Sequence, residues 1–329
     1  MKIGLVGLGH WGKNHARVLG NMKKKGEIDE LYFFDIDKKQ LGQLSQFHGA
    51  EAVDDLSKLH KLELDAVEIV VPANLHYSVA KPFIETGVKT FIEKPFTDKE
   101  EDALDLIDNA TNPASDIMVG HLFRFHPAVK KAKELIEAGQ IGTPLFTDIR
   151  RTAFGVPRPD NGVVYSLAIH DLDLFGYLSG LDSPSEVHAI TSTIIGPTED
   201  HAFIKVKYHN SEYQGITEES WMHPHQEKSR ICAIHGTNGV LSLDFLKPSE
   251  IILHGKYISS DRRIIDNGIF TQTLPFAEPL TEEIRHFLIK SAENKPFDAG
   301  PNVGLNAVRL CNSALDSANS GKIVHLNKL

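Results

Sequence analysis

The chain has 329 residues, 41% hydrophobic and 24% charged, a composition of globular proteins at a length that suits two ordinary domains. A net charge of −9 without any long basic run argues against a nucleic-acid partner, and no apolar run approaches the roughly 20 residues that cross a bilayer. Cys232 and Cys311 lie far apart and outside any C-x-x-C pattern, which excludes a disulfide framework or zinc–thiolate site and fits a cytoplasmic protein whose N-terminus enters a strand, not a signal peptide.

Ile3, Leu5 and Val6 give a short apolar strand. Gly7, Gly9 and Gly12 follow in G-x-G-x-x-G spacing, with His10 and Trp11 between them and a helix continuing from Asn14 to Leu19. The first glycine permits a tight turn, the second lets backbone approach a pyrophosphate, and the third lets the helix pack close to the strand. Glycine turns are common, but one set between a strand and a helix points to a dinucleotide. Leu31 to Asp35 reads as the next strand, ending in a carboxylate 23 residues beyond Gly12. A carboxylate there accepts hydrogen bonds from the adenosine ribose and repels a 2′-phosphate, and no Arg or Ser follows it, so NAD is favoured over NADP. The competing reading is that Asp35 only starts the turn to Asp37.

Lys38 to His48 is a helical segment, and the β-branched run Asp65 to Val71 reads as a buried parallel strand stopped by Pro72-Ala-Asn-Leu-His76. A helix over Tyr77 to Thr86 leads to the strand Lys89 to Glu93 and the triplet Glu93-Lys94-Pro95. Asp98 with Glu101 forms a capping box for a helix through Asn109, and Ile117 to Gly120 is a further strand. This alternation predicts an α/β fold with an N-terminal Rossmann domain, a doubly wound parallel sheet, over residues 1–120. Ligands of such sheets bind beyond the carboxyl ends of the strands, where Gly7, Asp35, Pro72, Asn74, His76, Glu93 and Lys94 all fall.

After a helix over Pro127 to Ala138 the pattern changes. Segments 142–151, 186–195, 202–208, 212–221, 230–235 and 240–244 read as strands separated by turns, followed by helices over 281–291 and 302–318 and a last strand at 322–325. Residues 121–329 are therefore expected to form a C-terminal α+β domain on a mostly antiparallel open sheet. A broad sheet with one uncovered face would need a partner, so a homodimer or homotetramer through that sheet is expected.

Lys94 is the sharpest single residue. It sits at the rim where a nicotinamide should lie, and burial beside an oxidised nicotinamide would lower its pKa enough to share a hydroxyl proton. The alternative is a structural ion pair with Glu93, and the Lys94–Pro95 bond is a candidate for cis. Ser166, His170 and Asp173 fall on one face of a helix, and a histidine oriented by an acid suits proton removal from an alcohol. With 17 histidines in the chain most must be ordinary, and only the company of Lys94 lifts His170 above that background. His121 with His126, and His223 with His225, lack the surrounding acids of a zinc site, so no metal is expected.

Five segments carry a resemblance to a known family: Gly7 to Gly12, Pro72 to His76, Glu93 to Pro95, His121-Leu-Phe-Arg124-Phe, and Ala168 to Asp173. Together they resemble the glucose–fructose oxidoreductase / inositol dehydrogenase / rhizopine-catabolism (Gfo/Idh/MocA) family over nearly the whole chain. The resemblance implies Lys94 and His170 as the catalytic pair, Asn74 and His76 near the nicotinamide ribose, Glu93 supporting Lys94, and Arg124 close to the cofactor. Many members carry an aspartate four residues before the histidine where this chain has Ser166, so His170 would lean on Asp173 or Lys94 would do more. The run Pro157 to Asp173 looks like the branch with UDP-N-acetylglucosamine 3-dehydrogenases. That implies oxidation of a sugar 3-hydroxyl, a substrate region including Tyr165, Ser166 and Asp173, and Arg151, Arg158 and Arg230 meeting a diphosphate; surface or sheet-edge arginines are the plainer reading of these three. The expected partner is thus a sugar, nucleotide-sugar or cyclitol. The fold also admits an NAD-assisted glycoside hydrolase, or a binding module that holds NAD without chemistry.

Overall fold

The structure, a computed structural model, describes residues 1–157, 161–223 and 228–328. Arg158 and His225, named above, lie outside the described residues. The chain divides into two compact units, Met1–Leu122 with Leu280–Val308, and Phe123–Pro279 with Arg309–Leu329.

In the first unit β1 (Lys2–Val6), α1 (Gly12–Lys24), β2 (Glu30–Phe34), α2 (Lys38–His48), the short β3 (Glu51–Ala52) and α3 (Leu56–Leu59) come first. They are followed by β4 (Ala66–Ile69), α4 (His76–Glu85), β5 (Lys89–Glu93), α5 (Glu100–Asn109), α6 (Pro113–Asp116) and β6 (Ile117–Gly120). The six strands pair in parallel in the order β3-β2-β1-β4-β5-β6. Chain order reverses between β1 and β4, the crevice at which such sheets take their ligands. Strands buried on both faces account for the unbroken apolar runs, as Leu5, Phe33, Val67 and Phe91 are all inaccessible. One local expectation fails. The N-cap of α5 is Lys99, extended at φ −128° and ψ 143° and without a side-chain cap, not Asp98. The Thr97 hydroxyl donates to the Lys99 carbonyl, and the helix begins one residue later than the capping-box pattern suggests.

The second unit holds α7 (Pro127–Glu137), β7 (Pro144–Thr152), α8 (Ile169–Ser179), β8 (Pro184–Ser192), β9 (His201–Tyr208), β10 (Gln214–Ser220), β11 (Ser229–Gly236) and β12 (Gly239–Asp244). It adds β13 (Glu250–Ile258) and β14 (Ile264–Thr273), which the sequence did not suggest. The last elements are α9 (Pro279–Glu293), α10 (Pro301–Ser320) and β15 (Val324–His325). The nine strands run in the order β14-β13-β12-β11-β7-β10-β9-β8-β15, antiparallel apart from the β7–β10 pair. Strand residues alternate in burial, and α8 covers the inner face so closely that a side chain at Gly215 would strike the Phe175 ring.

The C-terminal boundary differs from expectation. Residues 280–308, assigned above to the second domain, belong to the first. The reason is packing: Phe287 on α9 meets Phe91 edge-on at 5.7 Å, and the Val119 amide donates to the Ala299 carbonyl at 2.8 Å. Gly304 on α10 lets that helix lie against Val119 and Phe96.

Candidate active site

The glycine turn is built as its spacing requires. Gly7 has φ +98°, and a Cβ there would lie 2.3 Å from the Val70 carbonyl oxygen; one at Gly12 would lie 2.1 Å from that of Gly7. Both glycines are therefore demanded by the chain's own turn and helix–strand approach. Gly9 is different. Beyond its chain neighbours no described atom lies within 4 Å of where its Cβ would be, so the protein's own packing does not demand this glycine, and the open space leaves room for the approach of a pyrophosphate that the motif implies. Asp35 Oδ2 accepts the Leu8 N–H at 2.5 Å and Oδ1 accepts that of Asp37 at 2.8 Å, tying the glycine turn to the end of β2. The residues fit a dinucleotide: Gly7, Gly9 and Gly12 with exposed His10 and Trp11 for the pyrophosphate, and Asp35 for the adenosine ribose.

Beyond β4, exposed Pro72 precedes a 3-10 turn, Ala73–Leu75, that carries exposed Asn74. His76 corrects an expectation. It is 1% exposed, with Nδ1 2.7 Å from the Pro95 carbonyl and Nε2 3.0 Å from that of Val71. Both ring nitrogens are engaged by backbone, so the ring staples the end of β4 to the Lys94–Pro95 turn and offers neither nitrogen to a ribose.

The Lys94–Pro95 peptide is cis. The Glu93 carboxylate beneath it is 8% exposed; Oε2 accepts the Lys94 N–H at 3.0 Å and Oε1 accepts the Trp11 indole N–H at 2.7 Å. Sequence reasoning missed what stands behind Glu93. His15 of α1, wholly buried, has Nε2 3.2 Å from Glu93 Oε1 and Nδ1 2.7 Å from Oε2 of the wholly buried Glu68 on β4. Burial opposes a charge on His15, but the two carboxylates overcome it and raise its pKa to about 10. Burial likewise opposes ionisation of Glu93, yet His15, Trp11 and Lys94 hold its carboxyl below the ordinary range. An acid inside the apolar run Ala66-Val-Glu-Ile was the available signal, because a carboxylate on a doubly covered strand needs a buried partner.

In the second unit, Gly162 precedes one π-helical stretch, Val164–Ala168, which passes directly into α8. The wider π turn changes the register expected for Ser166 and His170, and such turns often mark functional sites. His170 is half-buried, edge-on to Phe123 at 5.0 Å. Ser166 donates its hydroxyl to the Asn161 carbonyl at 3.3 Å, and the Tyr165 hydroxyl donates to Asn312 Oδ1 at 2.6 Å. Asp173 is held by Arg124, whose Nε lies 2.9 Å from both carboxylate oxygens and whose Nη2 lies 2.6 Å from Oδ1. Arg124 also lies over the Tyr177 ring at 4.9 Å. Asp173, expected beside His170 or the substrate, is thus ion-paired with Arg124 of the same unit.

Arg151 also departs from expectation. It is 2% exposed, sandwiched between Phe123 (3.9 Å) and Phe245 (4.3 Å), with Nε 2.5 Å from Asp171 Oδ1. A guanidinium so enclosed serves the buried acid next to His170 and is neither a surface group nor a diphosphate ligand. Arg230 is half-buried and donates from Nη1 to the Ser229 carbonyl at 3.2 Å. Glu219 completes the buried set: burial, then the charge of Asp171, pushes its carboxyl well above the ordinary range.

Residues 1–121 match the family described as an oxidoreductase family with an NAD-binding Rossmann fold, and residues 129–242 match the GFO/IDH/MocA C-terminal domain. The chain is similar to the UDP-N-acetylglucosamine 3-dehydrogenase of Acidithiobacillus ferrooxidans, 29% identical over 300 residues that cover 90% of each chain. A solved structure of that enzyme superposes with a TM-score of 0.81 at 26% identity, covering 97% of this chain and 98% of the other. A levoglucosan dehydrogenase in complex with NADH and levoglucosan shares the fold, with a TM-score of 0.84 at 20% identity over the whole of both chains.

Proposed function

The chain belongs to the Gfo/Idh/MocA family of NAD-binding oxidoreductases, and from that premise we propose that it is an NAD-dependent dehydrogenase of a secondary sugar hydroxyl, with the 3-hydroxyl of UDP-N-acetylglucosamine favoured. The observation that carries this reading is Lys94: a lysine just past β5, on the ligand-binding rim, whose backbone N–H is held by Glu93, the same carboxylate that accepts from Trp11 of the glycine turn. NAD held at Gly7, Gly9, Gly12 and Asp35 supplies the hydride acceptor. Asp35 supports NAD over NADP, because a fixed carboxylate at the ribose position repels a 2′-phosphate. Lys94 Nζ holds and releases the proton of the reacting hydroxyl, and the His170 imidazole is the second proton-handling group. The similarity to the A. ferrooxidans enzyme supports the nucleotide sugar, with residues near Tyr165 and Ser166 contributing to its recognition. A homodimer or homotetramer through the open face of the nine-stranded C-terminal sheet is part of the same reading.

The test is a panel of UDP-N-acetylglucosamine, free glucose and myo-inositol, scored for NADH formation and repeated with Lys94→Ala. We expect NADH from UDP-N-acetylglucosamine, and a loss in turnover of at least about a hundredfold for Lys94→Ala with NADH affinity retained. Turnover that survives the substitution sinks the assignment of Lys94. Turnover of a glycoside without NADH build-up would replace dehydrogenation with hydrolysis.

A further inference from the structure

The buried ions behind Glu93 have no part in the proton chemistry just assigned, and their placement is costly. His15 sits in the first turn of α1, where the helix dipole disfavours a cation. Phe91 lies 5.6 Å from the imidazole centre, so an apolar side chain would be at home there. Buried ion pairs are commonly no more stabilising than hydrophobes of similar size, so the fold gains little from this one. What apolar residues could not supply is a directed contact to the Glu93 carboxylate. His15 is gripped at Nδ1 by Glu68 from β4 and reaches Glu93 Oε1 with Nε2, beside the Trp11 indole. Glu93 Oε2 is thereby left aimed at the Lys94 amide. The line Glu68–His15–Glu93 thus joins two strands and a helix to both the glycine turn and the lysine.

We infer that His15 and Glu68 are positioning residues for Lys94, fixing the Glu93 carboxylate that locks the Lys94 backbone and the Trp11 side chain into one arrangement. This rests on the reading of Lys94 given above. The pair touches no reacting atom and acts through Glu93 alone. Its loss should lower kcat while leaving the binding steps nearly intact, because a small displacement of a catalytic group costs turnover first.

The experiment compares the wild-type chain with His15→Gln and with the joint exchange His15→Leu and Glu68→Leu, each alone and combined with Lys94→Ala. The joint exchange removes both ions together, so neither is left buried and unpaired, and the fold should survive. Turnover is measured with the sugar of the panel that the wild-type chain oxidises, and NADH affinity by fluorescence titration. Expected are a fall in kcat of at least about tenfold in both variants, KM and NADH affinity within about threefold, and no further loss on top of Lys94→Ala. Wild-type kcat in the folded joint variant, or a loss that adds in full to that of Lys94→Ala, overturns the inference. If Lys94→Ala itself retains turnover, the reading of Lys94 falls and this one with it; a dead Lys94→Ala beside a normal joint variant overturns the network alone.

Discussion

His15 binds a proton that the unfolded chain would release near neutrality. Its folded pKa, about 10, stands above the ordinary 6.5 despite burial, because Glu68 and Glu93 flank it. Its contribution is complete below pH 6.5, declines as folding must take up a proton above that, and is gone once pH passes about 10. Glu68, which burial pushes upward, tilts stability the same way, while the lowered Glu93 acts only at acid pH. The melting temperature of the first unit should therefore fall steadily from pH 7 to 10, and the joint exchange His15→Leu and Glu68→Leu should flatten that slope. Calorimetry at fixed ionic strength checks this, and imidazole ¹⁵N shifts would show whether both ring nitrogens stay protonated at pH 8. At this scale the legible residues are those whose task is local in sequence. Gly7 and Gly12 answer to their own turn, and Lys94 follows a strand end. His76 and Arg151 were misread because their partners, the Pro95 carbonyl and Phe245, lie 19 and 94 positions away. Ring nitrogens and guanidinium groups look equally functional until the fold shows what already occupies them.

Between residues and molecule, the elements were legible where burial imposes a period and illegible elsewhere. The parallel strand β4 read as a β-branched run because both its faces are covered. The β13–β14 hairpin was missed because β14 is almost wholly exposed, so no alternation marks it, and β13 pairs with it through a register shift at His254. The π turn before α8 leaves no trace in side-chain spacing, since it adds one residue to a pattern that still looks helical. The start of α5 is a useful case because the capping box pointed one residue early. Its true N-cap, Lys99, has the extended backbone of a cap and no side-chain acceptor, while Glu100, Glu101 and Asp102 already suit the helix dipole. A hydroxyl at position 99 would accept an orphan N–H of the first turn. Lys99→Ser should therefore stabilise the first unit by about 0.5–1 kcal/mol, read as a higher denaturation midpoint with unchanged slope.

For the whole molecule the open question is what meets the outer face of the large sheet. Its inner face carries Val187, Ile204, Ile149 and Cys232 and is covered by α8. Register places Ile190, Phe203, Glu218, Arg150 and Ile231 side by side across five strands on the other face. At the spacing of neighbouring strands this row is about 20 Å long. Ile190, Phe203 and Ile231 are 63%, 47% and 50% exposed, more apolar surface than a solitary sheet face usually presents. In the middle of the row Arg150 Nε meets Glu218 Oε2 at 2.8 Å, pairing the charges within the chain so that the face can be covered without stranding an ion. The face suits a second copy of itself, since a two-fold axis sets each apolar end of the row against its counterpart. Phe203→Asp combined with Ile231→Asp would place like charges across that axis and leave the inner core intact. Light scattering after gel filtration should show a dimer or tetramer for the wild-type chain and a monomer for the double variant, with NADH affinity unchanged. A wild-type chain that runs as a monomer at micromolar concentration would mean that the exposed isoleucines and Phe203 face water, and that the sheet owes its stability to α8 and its covered side alone.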